Sequence, residues 1–319
     1  MIGALFAFLS ACLQGVNSAC LRRGVLTGSA SQAMAITVPM GVPLALLAAW
    51  LTGQLYQMDE LSRQGALFLA GSGILQYAWA RYWNYRAVAA LGSVGAGPVQ
   101  QLQMWIAVVL AVVLLDETLT VPKLLGMCLV FISPLIIAVS IKRRNARHAQ
   151  MDQADSDEDR RAGAALFRPK ILIGYGCAII AAISYGSSPI LIRSGLEGTN
   201  LGILGGLIAY SAATMTFVLF SCLAPGQIRH IRQTDRRSIP WYAMAGVLVY
   251  IAQTLYFMAL SLAPVTVVAP IHQFSLVARV CAGYVINRNH EVLTPTVIMA
   301  VLLSFAGTVI LAVDWQWMR

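Results

Sequence analysis

Ten long runs of mostly apolar residues follow one another along this chain of 319 residues, separated by stretches that carry most of its charge. A helix that crosses the hydrocarbon core of a bilayer needs about 20 apolar residues, close to the length of each run. Only 11% of the residues are charged and 58% are apolar, which excludes an ordinary water-soluble globule. The predicted helices lie near residues 2–21, 30–52, 66–88, 92–115, 121–141, 171–192, 201–224, 240–260, 264–286 and 295–314.

The first five runs and the last five are related by an internal duplication. Gly3 matches Gly174 at an offset of 171 residues, and Pro98 matches Pro270 at an offset of 172. A basic block, an acidic block and further basic residues lie between the two copies and are typical of a solvated linker. We therefore divide the chain into a first repeat (1–141), a charged linker (142–170) and a second repeat (171–319).

The number of helices in each repeat determines how the repeats are oriented. Because five is odd, each repeat enters the bilayer on one side and leaves on the other, so the second repeat is inverted. We predict an all-α polytopic membrane protein, with ten transmembrane helices as two inverted five-helix repeats around a central cavity. This architecture is typical of transporters that bind their substrate near the membrane midplane.

Matching segments of the two repeats carry a family signature. They are LQGVNSAC at 13–20 and SYGSSPIL at 184–191, the stretches YWNYRAVAALG and YFMALSLAP, and a Pro and a Glu in each fourth helix (Pro98 and Glu117, Pro270 and Glu291). These features resemble the drug/metabolite transporter superfamily, of the type with two EamA domains. The resemblance implies a cavity bordered by helices 1, 3, 4, 6, 8 and 9. It does not choose among amino acids, nucleotide sugars, phosphorylated metabolites, vitamins and cationic drugs.

The loops give an orientation that differs from the one the resemblance implies. Loops on the side of the linker hold sixteen Lys and Arg residues, and loops on the other side hold four. Since this bias keeps basic loops in the cytoplasm, it predicts that both termini lie outside. The resemblance implies both termini inside, but the basic residue that usually follows the family's Glu is here Thr118 or Val292.

Ionisable side chains inside the predicted spans are few, and none is acidic: they are Arg81, His272 and Arg279. Buried ionisable groups are costly and usually face a cavity or a partner. Because proton-coupled export of lipophilic cations relies on a carboxylate within the membrane, the absence of one disfavours a cation pump.

Polar residues recur at matching places in both repeats, as a cavity at their interface requires. His272, Ser275 and Arg279 share one stripe of a helix. The candidate substrate-binding residues are Arg279, His272, Arg81, Gln100, Gln253, Tyr77, Trp105, Tyr185, Gln14, Asn17 and Ser275, and the candidate hinges are Pro98 and Pro270. The alternative for the amides is interhelical hydrogen bonding worth about 0.6 kcal/mol, and for the prolines a place at a helix start.

The sequence thus favours a secondary active transporter, and we expect an exporter in a bacterial inner membrane. Its substrate would be a small polar metabolite with a carboxylate or phosphate, such as an amino acid or a derivative. A lipid or glycolipid headgroup flippase of the same fold is the alternative. We expect no enzymatic activity, cofactor, metal or nucleic-acid partner, because the chain has no GxxxxGK[ST] motif, nucleophile–base pair or metal-ligand cluster. The expected partners are the substrate and membrane lipid.

Overall fold

The computed structural model describes residues 2–25, 29–84, 86–87, 99, 102–132, 135–136, 139, 171–223, 235–286 and 295–317, and these are helical or connect helices, with no strand among them. The helices of the first repeat are α1 (Ile2–Val25), α2 (Ala30–Leu51), α3 (Arg63–Gly73, continuing to residue 84), α4 (Leu102–Leu114) and α5 (Val121–Ile132). Those of the second repeat are α6 (Ile171–Gly195), α7 (Gly202–Leu223), α8 (Ile239–Leu262), α9a (Val265–His272), α9b (Phe274–Ile286) and α10 (Pro295–Trp317).

Within the described residues helices lie at the predicted positions, and five of them are long and apolar enough to cross a membrane: α1, α2, α6, α7 and α8. Three departures from regular helices were not predicted. Residues Gln54–Glu60 form a 3₁₀-helix after α2, Ile74–Ala80 form a π-helical segment within α3, and α9 is interrupted at Gln273. Pro98 and residues 142–170 lie outside the described part of the chain.

Contacts between helix ends confirm that the repeats are inverted. Gly3, at the start of α1, packs against Ala259 and Ala263 at the end of α8. Gly65, at the start of α3, packs against Gly195 at the end of α6. The first helix of the first repeat therefore begins on the face where the first helix of the second repeat ends.

Two glycine contacts repeat the same relation near the middle of the bundle. A Cβ atom on Gly15 of α1 would lie 2.5 Å from Ala278 Cβ and 2.6 Å from Arg279 N of α9b. A Cβ atom on Gly186 of α6 would lie 2.7 Å from Gln103 O and 2.8 Å from Ile106 Cβ of α4. Gly15 and Gly186 are sequence equivalents, as are Ile106 and Ala278. Helix packing thus follows the duplication, and small residues allow the close approach.

We name the two sides of the bundle by what lies there. The cap face holds the connections at residues 52–62, 115–120, 196–201 and 263–264, and the linker face is the opposite side, where α5 ends and α6 begins. A large cluster of buried apolar residues fills the middle and the cap-face half, with Leu69, Leu196 and Leu260 almost fully buried. Ala87, Cys177 and Ala178 form a small separate cluster near the linker face.

Candidate functional site

The interruption of α9 divides the stripe that carries His272, Ser275 and Arg279. Pro270 has no N–H to donate to the carbonyl four residues earlier in the helix. At the end of α9a the Gln273 N–H bonds Pro270 O at 3.0 Å, three residues back. His272 ends α9a, whereas Ser275 and Arg279 belong to α9b. Pro270 thus lies one turn before the break, and its use as a hinge stays a prediction.

Arg279 is the most exposed of the predicted site residues in the centre of the bundle. Its side chain is exposed, although it lies in the part of α9b that packs against α1. Its backbone is fixed by the contact with Gly15. Within the described residues it has no hydrogen-bond or ion-pair partner, so the arrangement presents a positive charge without a counterion.

His272 is also deep in the bundle and has an unused polar atom. Its ring packs on Tyr256 of α8 with the centroids 4.6 Å apart, and its Nε2 atom is buried without a hydrogen-bond partner in the described structure. Ser275, one turn before Arg279, is buried. The stripe therefore places a polar imidazole toward the cap face and a cation toward the linker face.

A polar network joins α3, α6 and α8 at mid-membrane. The Ser188 hydroxyl donates to Gln76 Oε1 at 2.6 Å, and Gln76 Nε2 donates to Gln253 Oε1 at 3.0 Å. The Tyr77 hydroxyl donates to the same Gln253 oxygen at 3.1 Å. The structure thus brings the predicted residues Tyr77 and Gln253 together, with Gln76 between Gln253 and α6.

Sequence reasoning did not single out Gln76. In a regular α-helix Gln76 and Tyr77 point about 100° apart, so helical spacing assigned only Tyr77 to the cavity face. Both residues belong to the π-helical segment, whose wider turn lets both side chains reach Gln253. Such segments occur often at functional sites, but nothing in the sequence announces this one.

Arg81 lies at the linker-face end of this group. Its guanidinium carbon is 5.7 Å from the centroid of the Tyr77 ring, within the range of a cation–π contact. Tyr77 stacks on Tyr210 of α7 at 4.6 Å, and the Tyr210 and Tyr250 rings are 6.0 Å apart. Arg81 is therefore held against an aromatic wall, unlike Arg279.

The remaining predicted residues are distributed over α1, α4 and α6. Gln14 and Tyr185 directly precede the equivalent glycines Gly15 and Gly186. Gln14 Oε1 is buried with no hydrogen-bond partner in the described structure, and the Asn17 side chain is buried. Trp105 packs edge-on against Phe131 of α5 at 5.6 Å, and helix 5 is not among the helices that the resemblance places around the cavity. Gln100 lies outside the described residues.

Three polar side chains at the cap face satisfy helix ends, and the sequence analysis assigned none of them this task. Glu117 accepts the first N–H groups of α9a, and Gln54 Oε1 accepts those of Ile203 and Leu204 at 3.1 and 3.0 Å. Arg193 Nη1 donates to the Leu260 and Ser261 carbonyls at 2.8 and 3.0 Å, at the C-terminus of α8. Glu117 thus acts as a helix cap on α9a.

Comparisons with known proteins agree with this architecture. One solved structure, described only as the crystal structure of a protein, matches with a TM-score of 0.70 and 15% sequence identity over 99% of this chain and 98% of its own. At this identity the match concerns the fold alone. No curated protein matches the chain. The profile of the EamA-like transporter family matches residues 1–139 and 172–313, one match for each repeat. The chain therefore belongs to the EamA-like transporter family and is a membrane transporter of the drug/metabolite type.

Proposed function

We propose that this transporter is a secondary carrier that exports a small polar metabolite with a carboxylate or phosphate group, such as an amino acid or a derivative, across a bacterial inner membrane. The observation that carries the proposal is Arg279, an exposed side chain within the predicted span 264–286, beside α1 and without a counterion in the described structure. A guanidinium group binds either oxyanion through two parallel hydrogen bonds.

The surroundings of Arg279 fit a small polar solute rather than a cation. The described part of every helix around it lacks acidic side chains in its interior, and the polar groups nearby are amides, hydroxyls and an imidazole. Gln14 Oε1 and His272 Nε2 are unpartnered in that structure, which leaves them available for substrate hydrogen bonds. A cation within a membrane span without an anion is costly, and an anionic substrate would lower that cost when it binds.

The test measures how fast the protein in proteoliposomes transports each member of a panel of amino acids, organic phosphates and organic cations. We expect preference for the anionic or zwitterionic solutes, and Arg279→Ala to lower their transport by about a hundredfold, the effect of removing one partner of a desolvated charge pair. Transport by Arg279→Lys should lie between that of the wild type and that of Arg279→Ala, because an ammonium group keeps the charge and loses the bidentate geometry.

The matched control is Arg86→Ala, which removes an exposed arginine at the linker-face end of α3, whose guanidinium lies over the Tyr82 and Trp83 rings. It should leave transport nearly unchanged. Preferential cation transport, or equal anion transport by Arg279→Ala and the wild type, would refute the proposal. Scrambling of labelled phospholipid with no solute transport would favour a flippase instead.

A further inference from the structure

The N-terminus of α9a is capped from the other repeat. Glu117, in the α4–α5 connection, accepts the Val265 N–H at Oε1 and the Thr266 N–H at Oε2, both at 2.8 Å. The residue in the N-cap position itself is Pro264, whose side chain has no hydrogen-bonding atom. A carboxylate at a helix N-terminus gains from charged hydrogen bonds and from the helix dipole. The cap is therefore a polar bond between the repeats.

The backbone around Glu117 holds the carboxylate in place. Asp116 has φ of 51°, a left-handed conformation that is uncommon outside glycine but tolerated by Asp and Asn. The Glu117 N–H bonds Ala111 O at 3.3 Å, and Lys123 Nζ donates to Thr118 O at 2.7 Å. Hydrogen bonds thus fix the connection to the end of α4 and to the start of α5, so Glu117 holds α9a from a loop of fixed conformation.

The two parts of α9 have different attachments. All residues of α9a from Val265 to Ile271 are buried, and Glu117 holds its first turn. The α9b part, with Arg279, lies against α1 through Gly15. Because the helix is interrupted at Gln273 between these attachments, α9a can change its angle while α9b stays in place.

We propose that Glu117 is a positioning residue for transport: its cap on α9a keeps the cap face closed, and release of these bonds accompanies the opening of that face. At the cap face Gly65 of α3 packs against Gly195 of α6, and Gly202 of α7 packs against Phe257 and Met258 of α8. Opening requires α9a to leave the first repeat, which breaks both bonds of the Glu117 carboxylate. Glu117 therefore sets the balance between the closed and open forms without contacting substrate.

The test measures how often the cap face opens, and it needs no substrate. Ala269→Cys places a thiol on α9a at a site that is 5% exposed, in a background whose six cysteines are replaced by alanine. A membrane-impermeant maleimide is added at the cap side of oriented proteoliposomes. Glu117→Gln should raise the labelling rate about tenfold, since the amide keeps one acceptor and loses the charge. Glu117→Asp, which keeps the charge, should restore part of the protection.

A second variant removes the donor instead of the acceptor. Val265→Pro deletes the N–H bonded to Oε1 at the first helical position, where proline is favoured, and Pro264 already has the extended conformation that precedes proline. It should raise labelling less than Glu117→Gln and is informative even if that variant fails to insert.

The control for charge is Asp116→Asn, which removes an exposed carboxylate one residue away from Glu117. Asparagine also adopts the left-handed backbone conformation of Asp116. This variant should label like the parent. Labelling that is unchanged in both Glu117→Gln and Val265→Pro, or raised equally by Asp116→Asn, would overturn the proposal. Because the readout is independent of solute, its failure would leave the assignment of Arg279 to substrate untouched, and loss of that assignment would leave this one in place.

Discussion

The cap-face half and the linker-face half of the bundle are held together in different ways. Toward the cap face, charged or amide side chains close the ends of α7, α8 and α9a, and apolar residues such as Leu69 and Leu204 fill the space between helices. Toward the linker face, a described bond between the repeats runs from the Tyr242 hydroxyl to Ser29 O at 3.2 Å, and Arg279 stays exposed. Among the described residues, polar side chains thus close three helix ends at the cap face, whereas the exposed arginine of α9b lies toward the linker face.

The largest expected effect comes from the packing of α6, which has a glycine near each face. A Cβ atom on Gly195 would lie 2.7 Å from Leu69 Cγ and 3.0 Å from Gly65 O, whereas one on Gly176 meets no atom within 4 Å. Gly195→Ala should destabilise the protein by about 2 kcal/mol through overpacking. Gly176→Ala should be neutral or stabilise it by up to about 1 kcal/mol through helix propensity. Thermal unfolding in detergent measures both, and equal effects would contradict the packing contrast.

A smaller effect is expected at the C-terminus of α8. Arg193→Gln removes the cation that caps the Leu260 and Ser261 carbonyls, and the loss should be about 1 kcal/mol. Arg86→Gln, near the linker face, removes an exposed arginine with a long 3.4 Å bond to the Tyr82 hydroxyl and should cost less. The same unfolding measurement compares them. A greater loss from Arg86→Gln would reverse the contrast between the faces.

The smallest effect is expected in the network at mid-membrane. Tyr77→Phe removes the 3.1 Å bond to Gln253 Oε1, which still accepts from Gln76, so the loss of stability should be about 0.6 kcal/mol. The stack on Tyr210 is retained. A loss larger than that of Arg193→Gln would show that the middle of the bundle, rather than the cap face, is the main polar attachment between helices.

The sequence predicted the features that depend on apolar length and on the duplication. Helix positions and inversion follow from these. The orientation of the cavity residues was harder to predict, because it depends on departures from regular helices. Gln76 was not singled out, since only the π-helical segment lets it reach Gln253 together with Tyr77.

The tasks of charged residues at helix ends were also not predictable from spacing. Glu117 and Val265 are 148 positions apart, and their bond exists only because the inverted repeats bring the two connections to one face. Lys123, which was counted among the loop charges, is the third residue of α5 and is buried. Charge patterns in sequence locate the membrane boundaries but do not show which carbonyl or amide each charge will meet.

The π-helical segment of α3 has a consequence for how the length of this helix can change. A π-helical turn holds more residues than an α-helical turn, so it accommodates an extra residue while the helix continues on either side. Deleting one residue between Ile74 and Ala80 would therefore let the segment return to ordinary helical pitch, and Arg81 would stay on nearly the same side of the helix. The change would fall within the segment itself, where Gln76 and Tyr77 could no longer both reach Gln253.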